Sequence, residues 1–188
     1  MSARRRTARA SERVDLRLTR RALIRAGAGA ALLVLFGWPA RRSRAGSLPA
    51  DLTELLERSP FVYVSPRKGD GAESRCHGEV WFGWLDGSVV VITGSERWKA
   101  RALARGLDRA RIWVGDHGTW KGMLGANEEF RQAPAFDARA SVSKDEKLLD
   151  RLLATYERKY PEEIGHWRDK MRQGFHDGSR VLIRYTPA

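Results

Sequence analysis

The sequence predicts an α+β fold in which about six strands, mostly antiparallel, close into a β-barrel with a few peripheral helices. Three observations carry this reading. Short apolar or alternating runs of strand length recur between turn signals, an Asp86-Gly87 pair joins two of them as a hairpin, and only a few segments have helical spacing. With so few strands, closing the sheet on itself is one way to remove exposed edges.

The elements follow in order. Leu52, Leu55 and Leu56 share one helical face within Pro49–Arg58, and Ser59-Pro60 ends that helix. Phe61–Val64 is a strand, and the turn formers of Pro66–Gly71 follow it. Ser74–Leu85 reads as one strand, Asp86-Gly87 as its turn and Ser88–Thr93 as the returning strand. Gly94-Ser95 breaks it, Glu96–Arg105 is helical and Arg111–Val114 is another strand. Residues 115–133, with Gly115, Gly118, Gly122 and Gly125, suggest a long loop. Phe136–Val142 alternates as a half-buried strand does. Ser143 and Glu146 have capping-box spacing, and the helix they open carries Leu148, Leu149, Leu152, Leu153 and Tyr156 on one face, stopping near Pro161. Glu162–Arg172 suggests another helix and Ser179–Tyr185 a closing strand.

Ahead of all this lies a segment of different character. Residues 1–25 are polar and arginine-rich, and residues 26–36 form an apolar run of 11 residues. That suits a signal-peptide core and falls short of the ~20 residues a spanning helix needs. Ser43-Arg44-Ala45 offers small residues at the positions a cleavage site requires. Thr19-Arg20-Arg21-Ala22-Leu23-Ile24-Arg25 resembles the twin-arginine motif, an address read by a translocase that carries folded proteins. The expected organisation is therefore a signal peptide over residues 1–45 and one domain over residues 46–188, delivered to the periplasm or beyond. The alternative is an uncleaved anchor, which the glycines and alanines of the weakly apolar run disfavour.

Charge has to be counted after that segment is set aside. The whole chain carries a net +12, but residues 1–45 hold 12 arginines against Glu12 and Asp15. The remaining 143 residues have 23 basic and 21 acidic side chains, a net of +2. A surface so nearly neutral removes the main support for a nucleic-acid partner. Cys76 is the single cysteine, so there is no internal disulfide and no multi-thiolate metal site. His77, His117, His166 and His176 lack the spacing of a metal motif.

The chemically informative stretch is Val89–Leu103, a strand that leads through Thr93, Gly94 and Ser95 into a helix start. Arg97 and Lys99 lie in the first turn, where the helix dipole disfavours cations by a few tenths of a kcal/mol. Two bases, the hydroxyls of Thr93 and Ser95 and free N–H groups make a phosphate cradle. The same residues also fit a solvated basic helix face, since Arg101 and Arg105 continue the run. Trp81, Trp84, Trp98, Trp113 and Trp120 fit a ring-binding surface, though aromatic residues on strands more often belong to the core.

The order of elements and the Thr93, Lys99, Leu103 spacing resemble the pyridoxamine 5′-phosphate oxidase-like, flavin-binding split-barrel family. Phe136–Ala140, the Leu148–Tyr156 helix with Lys159-Tyr160, and Val181–Arg184 are similar to that family's C-terminal half. The resemblance implies a homodimer with FMN at its interface and the phosphate held by Arg75, Thr93, Ser95, Arg97 and Lys99. It implies an oxidoreductase acting on a small molecule. Relatives using the deazaflavin F420 share the barrel, and Ser65–Gly71, with Arg67 and Lys68, partly echoes a loop some of them carry. A non-enzymatic flavin or haem carrier is the further alternative. No residue stands out as a general acid or base, which agrees with cofactor-borne chemistry and equally with no catalysis.

Replacing Arg20 and Arg21 by lysine should leave the chain at full length in the cytoplasm. Cell fractionation and N-terminal sequencing check this, and normal periplasmic delivery of the double variant would refute the twin-arginine reading.

Overall fold

The structure, a computed structural model, describes residues 47–117 and 128–188. The signal segment 1–45 with its cleavage site, most of the 115–133 loop, and Trp120 lie outside the described residues. The elements run α1 (Ala50–Arg58), β1 (Val62–Pro66), β2 (Gly78–Val80), β3 (Gly83–Leu85), β4 (Ser88–Gly94), α2 (Trp98–Ala104), β5 (Arg109–Val114), a 3₁₀ turn (Glu129–Gln132), β6 (Ala135–Ser143), α3 (Glu146–Lys159), α4 (Ile164–Asp177) and β7 (Arg180–Pro187). No helix among the described residues is long and apolar enough to cross a membrane.

The strands form one antiparallel sheet in the order β2-β1-β5-β6-β7-β4-β3. The expected single strand Ser74–Leu85 is two short strands. β2 pairs with β1 at one end of the order, β3 pairs with β4 at the other, and only Trp81 and Phe82 separate them. The sheet thus returns on itself through one stretch of chain. Counted as one bent strand, β2 and β3 give the expected six; counted by ladders, there are seven.

The bend takes two residues out of the ladders, and their buried backbone groups need other partners. Helix α3 supplies them. The Tyr156 hydroxyl donates to the Trp81 carbonyl at 2.8 Å, and the Phe82 N–H donates to the Tyr160 hydroxyl at 3.2 Å. Tyr160 passes its own proton to the Pro60 carbonyl. The Trp81 ring stacks on Tyr160 with centroids 4.4 Å apart. At Gly83 a Cβ would come within 2.9 Å of a Leu152 methyl on α3, so any side chain there would make Leu152 shift. The Asp86-Gly87 turn has φ of 49° and 67°, the left-handed pair a tight type I′ hairpin requires.

Burial follows from this closure. On β4, Val89 and Val91 enter one core cluster with Val62, Val64, Phe82, Ile112 and Ile183, onto which Leu52 and Leu56 of α1 pack. Val90 and Ile92 point the other way, into a second cluster with Leu182 and the apolar faces of α3 and α4. A strand covered on both faces has no polar alternation, which is why Val89–Ile92 is continuously apolar. Tyr63, Trp113 and Phe130 make a third, smaller cluster.

The helix starts differ from expectation. Ser143 and Glu146 do not form a capping box; the Asp145 carboxylate caps α3 by accepting from Lys147 N–H at 2.9 Å and Leu148 N–H at 3.3 Å. Asp145 stands directly before the first helical residue, so one carboxylate reaches two free donors there. Ser143 is one turn element earlier and accepts from the Asp145 N–H instead. Helix α2 begins at Trp98 rather than Glu96, and α4 runs on to Asp177, ending at Gly178 with φ of 80°.

Tyr160→Phe removes the hydroxyl that accepts from the buried Phe82 N–H, at a cost of about 1–3 kcal/mol. Urea unfolding should show that loss, while Trp167→Phe on the exposed face of α4 should stay within about 0.5 kcal/mol. Equal stability of the two variants would show that the tyrosine does not hold the bend.

Candidate functional site

Where β4 ends, Gly94 pairs with Arg180 at the start of β7. The next residue is tied across the gap: Ser95 donates to the Ser179 carbonyl through its N–H at 2.8 Å and its hydroxyl at 3.1 Å. This pair of hydrogen bonds to one carbonyl fixes the turn, so that Arg97 becomes the N-cap of α2 and Lys99 falls in its first turn. No side chain caps that helix.

The turn borders a cavity of about 480 Å³. Thr93, Gly94, Arg97, Lys99, Ser179 and Arg180 supply its polar side. Trp81, Tyr156, Trp167 and Met171 supply an apolar side built from the strand bend and from α3 and α4. Among the described residues Arg97, Lys99 and Arg180 are its charged side chains, and no carboxylate lines it. Among the described residues nine arginines lie within 4 Å of a carboxylate, and neither Arg97 nor Arg180 is one of them.

Lys99 shows the consequence. Burial, and then the neighbouring Arg97 charge, push its amine down to about 8. Both causes penalise the cation, and no acidic partner offsets them. The Nζ lies 4.4 Å from the centre of the Trp98 ring, a weak compensation. An anion entering the cavity would reverse the penalty. Tyr156 is shifted the other way: burial and the nearby Tyr160 raise its hydroxyl well above 10, so it stays neutral.

The sequence-predicted residues divide accordingly. Thr93, Arg97 and Lys99 meet in the cavity. Ser95 is adjacent but commits its proton to Ser179. Arg75 is not brought there in one chain; it is exposed on a separate groove of about 390 Å³ with Glu73, His77, Glu128 and Arg131. Cys76 is exposed, and His77 packs against Phe130 at 4.9 Å. Trp81 lines the cavity, Trp113 is buried, and Trp84 and Trp98 pack against the core. Arg180, Trp167 and Met171 escaped the sequence reading. Only the β4–β7 register, which sets Arg180 opposite Gly94, could have found the first of them.

A second groove of about 540 Å³ runs along another face of α2 and shares Arg97 with the cavity. Arg97, Arg101 and Arg105 follow at intervals of four, facing Arg67 and Lys68, with Glu96 the one acid present. Arg67 is held in an ion pair with Asp137. Like charges at this spacing oppose a helix by about 0.2–0.5 kcal/mol per pair.

No family model matches the sequence, and no curated protein matches it. Solved structures do match in fold. A conserved hypothetical protein from Mycobacterium tuberculosis is 18% identical, with 78% of this chain and 84% of that chain covered at a TM-score of 0.52. HutZ, the haem storage protein from Vibrio cholerae, is 16% identical over 73% and 88%, with a TM-score of 0.49. A candidate pyridoxamine 5′-phosphate oxidase from Listeria innocua is 19% identical over 73% and 90%, with a TM-score of 0.46. In fold, the chain is an α+β antiparallel split barrel, the architecture it shares with the Mycobacterium tuberculosis structure.

Proposed function

We propose that this chain is an exported flavoprotein that binds FMN in the cavity between β4, α2 and α4 and acts as an oxidoreductase on a small molecule. The observation that carries the reading is Lys99, a half-buried cation without an acidic partner in a cavity whose other charges are also positive. Such a site favours a phosphate, and an apolar wall with two tryptophans beside it suits a planar ring. Lys99, Arg97 and Arg180 would hold the phosphate with the Thr93 hydroxyl, while Trp81, Met171 and Trp167 would shield the ring from water. The bound flavin would supply electron and hydride transfer; the chain binds, orients and excludes solvent. In the proposed homodimer a second copy would cover exposed Arg97 and Trp167 and bring its own Arg75 toward an interface. Loading a cofactor before transport would also suit export by a route for folded proteins.

F420 is the second reading, and the arginine stripe Arg97–Arg101–Arg105 favours it. That cofactor carries an anionic tail, for which the second groove offers a run of positive charge continuous with the cavity through Arg97.

The absorption spectrum of the purified chain is the first test, since bound flavin colours it yellow. Each charge-assisted hydrogen bond contributes about 1.5–3 kcal/mol, so Arg97→Ala with Lys99→Ala should weaken FMN at least about a hundredfold. Flavin fluorescence during titration reads this directly. Arg101→Ala with Arg105→Ala should leave FMN affinity nearly unchanged but weaken F420 strongly. Equal small effects of both pairs would overturn the cavity as the phosphate site.

FMN affinity should also fall as pH rises through about 8. Lys99 ordinarily titrates higher, near 10.5, and burial lowers it in the empty cavity; above about 8 the amine is neutral and its attraction for phosphate is gone. Arg97 and Arg180 stay charged throughout, so binding should weaken rather than vanish. The Lys99→Arg variant should lose this pH dependence.

A further inference from the structure

We propose that Lys99 Nζ is a carbonyl-reactive amine, which in the cofactor-free cavity condenses with an aldehyde bearing a phosphate to form an imine. The proposal shares its cavity with the flavin reading but depends on the amine and not on a flavin.

Two lysines make the argument by their contrast. Burial brings both Lys99 and Lys159 down to about 8. Lys159 is committed: its Nζ donates to the Ser59 carbonyl at 2.8 Å and lies 3.7 Å from the centre of the Phe82 ring. Its amine is held by the fold at the strand bend. Among the described residues Lys99 has no hydrogen bond or ion pair; its Nζ lies 4.4 Å from the centre of the Trp98 ring, and it lines a cavity of about 480 Å³. Arg97 and Arg180 line the same cavity and no carboxylate does. An anionic aldehyde would therefore be concentrated beside an amine free to react.

The chemistry is balanced without an oxidant or reductant. The neutral amine lone pair adds to the carbonyl carbon, and one proton from the nitrogen passes to the carbonyl oxygen, giving a carbinolamine. The hydroxyl then leaves as water with the second nitrogen proton, and the nitrogen lone pair closes the C=N bond. At a pH near 8 on the order of half of Lys99 is neutral, against less than about one per cent of an exposed lysine. Buried lysines with lowered proton affinity are the residues that form Schiff bases in proteins.

Pyridoxal 5′-phosphate is the probe, because its imine is coloured and borohydride fixes it as a stable amine. The full chain, freed of any bound cofactor, is treated near pH 8, reduced and mapped by mass spectrometry. Lys99 should be labelled at least about tenfold faster than Lys159 or the exposed Lys144 and Lys147. Lys99→Arg should abolish the fast labelling while keeping the circular dichroism spectrum. Arg180→Ala, or pyridoxal without its phosphate, should slow it about tenfold. Labelling spread evenly over the lysines, or Lys159 reacting as fast, would overturn the proposal. An FMN titration of the same sample separates the two readings. Labelling with no FMN binding supports the imine and sinks the flavin, whereas FMN binding with no labelling of the cofactor-free chain does the reverse.

Discussion

The structure depends on how the chain gets from one edge of its sheet to the other in two residues. Trp81 and Phe82 leave the ladder between β2 and β3, and two tyrosines on α3 take up their backbone groups. Without those hydroxyls the bend would bury polar groups unpaired, at a few kcal/mol in a domain whose whole margin is of the order of ten. The stack of Trp81 on Tyr160 and the tight passage of Gly83 by Leu152 tie the same point to α3 by packing. Closure, helix docking and the inner core are one event.

The cavity inherits its shape from that event. Trp81 faces it from the bend and Tyr156 from the tether, while α4 places Trp167 and Met171 opposite the end of β4. Its charge has another source. Nine of the described arginines find carboxylates, as Arg151 does with Asp86 and Arg139 with Asp108. Arg97, Arg101 and Arg105 are not among them, and α2 carries these like charges at intervals of four. Like charges at that spacing cost local helix stability.

Much of the fold was legible in the residues. Asp86-Gly87 announced its hairpin because only residues tolerant of positive φ make that turn. The Leu148–Tyr156 stripe announced α3 because period and burial coincide there. The apolar run Val89–Ile92 marked a strand, and the structure covers it on both sides. The division of Ser74–Leu85 was not legible: Trp81 and Phe82 are good strand residues, and their ladder partners are lost only because α3, some 75 residues away in sequence, offers replacements. The cap of α3 was misplaced by the same local ambiguity, since Ser143 and Asp145 both qualify and only the actual helix start decides.

For the site, the sequence by itself determined that hydroxyls and bases gather at a strand-to-helix turn, because Thr93, Ser95, Arg97 and Lys99 lie within seven residues. It also determined that the excess of basic residues is gathered in residues 1–45, along with the arginine pair. Only the tertiary structure decided that Ser95 is spent on Ser179, that Arg75 lies on another groove of the same chain, and that Arg180 and Trp167 complete the cavity. The reason is reach. Contacts within one turn follow from spacing along the chain, whereas β7 meets β4 across almost 90 residues, through a register that no local pattern encodes.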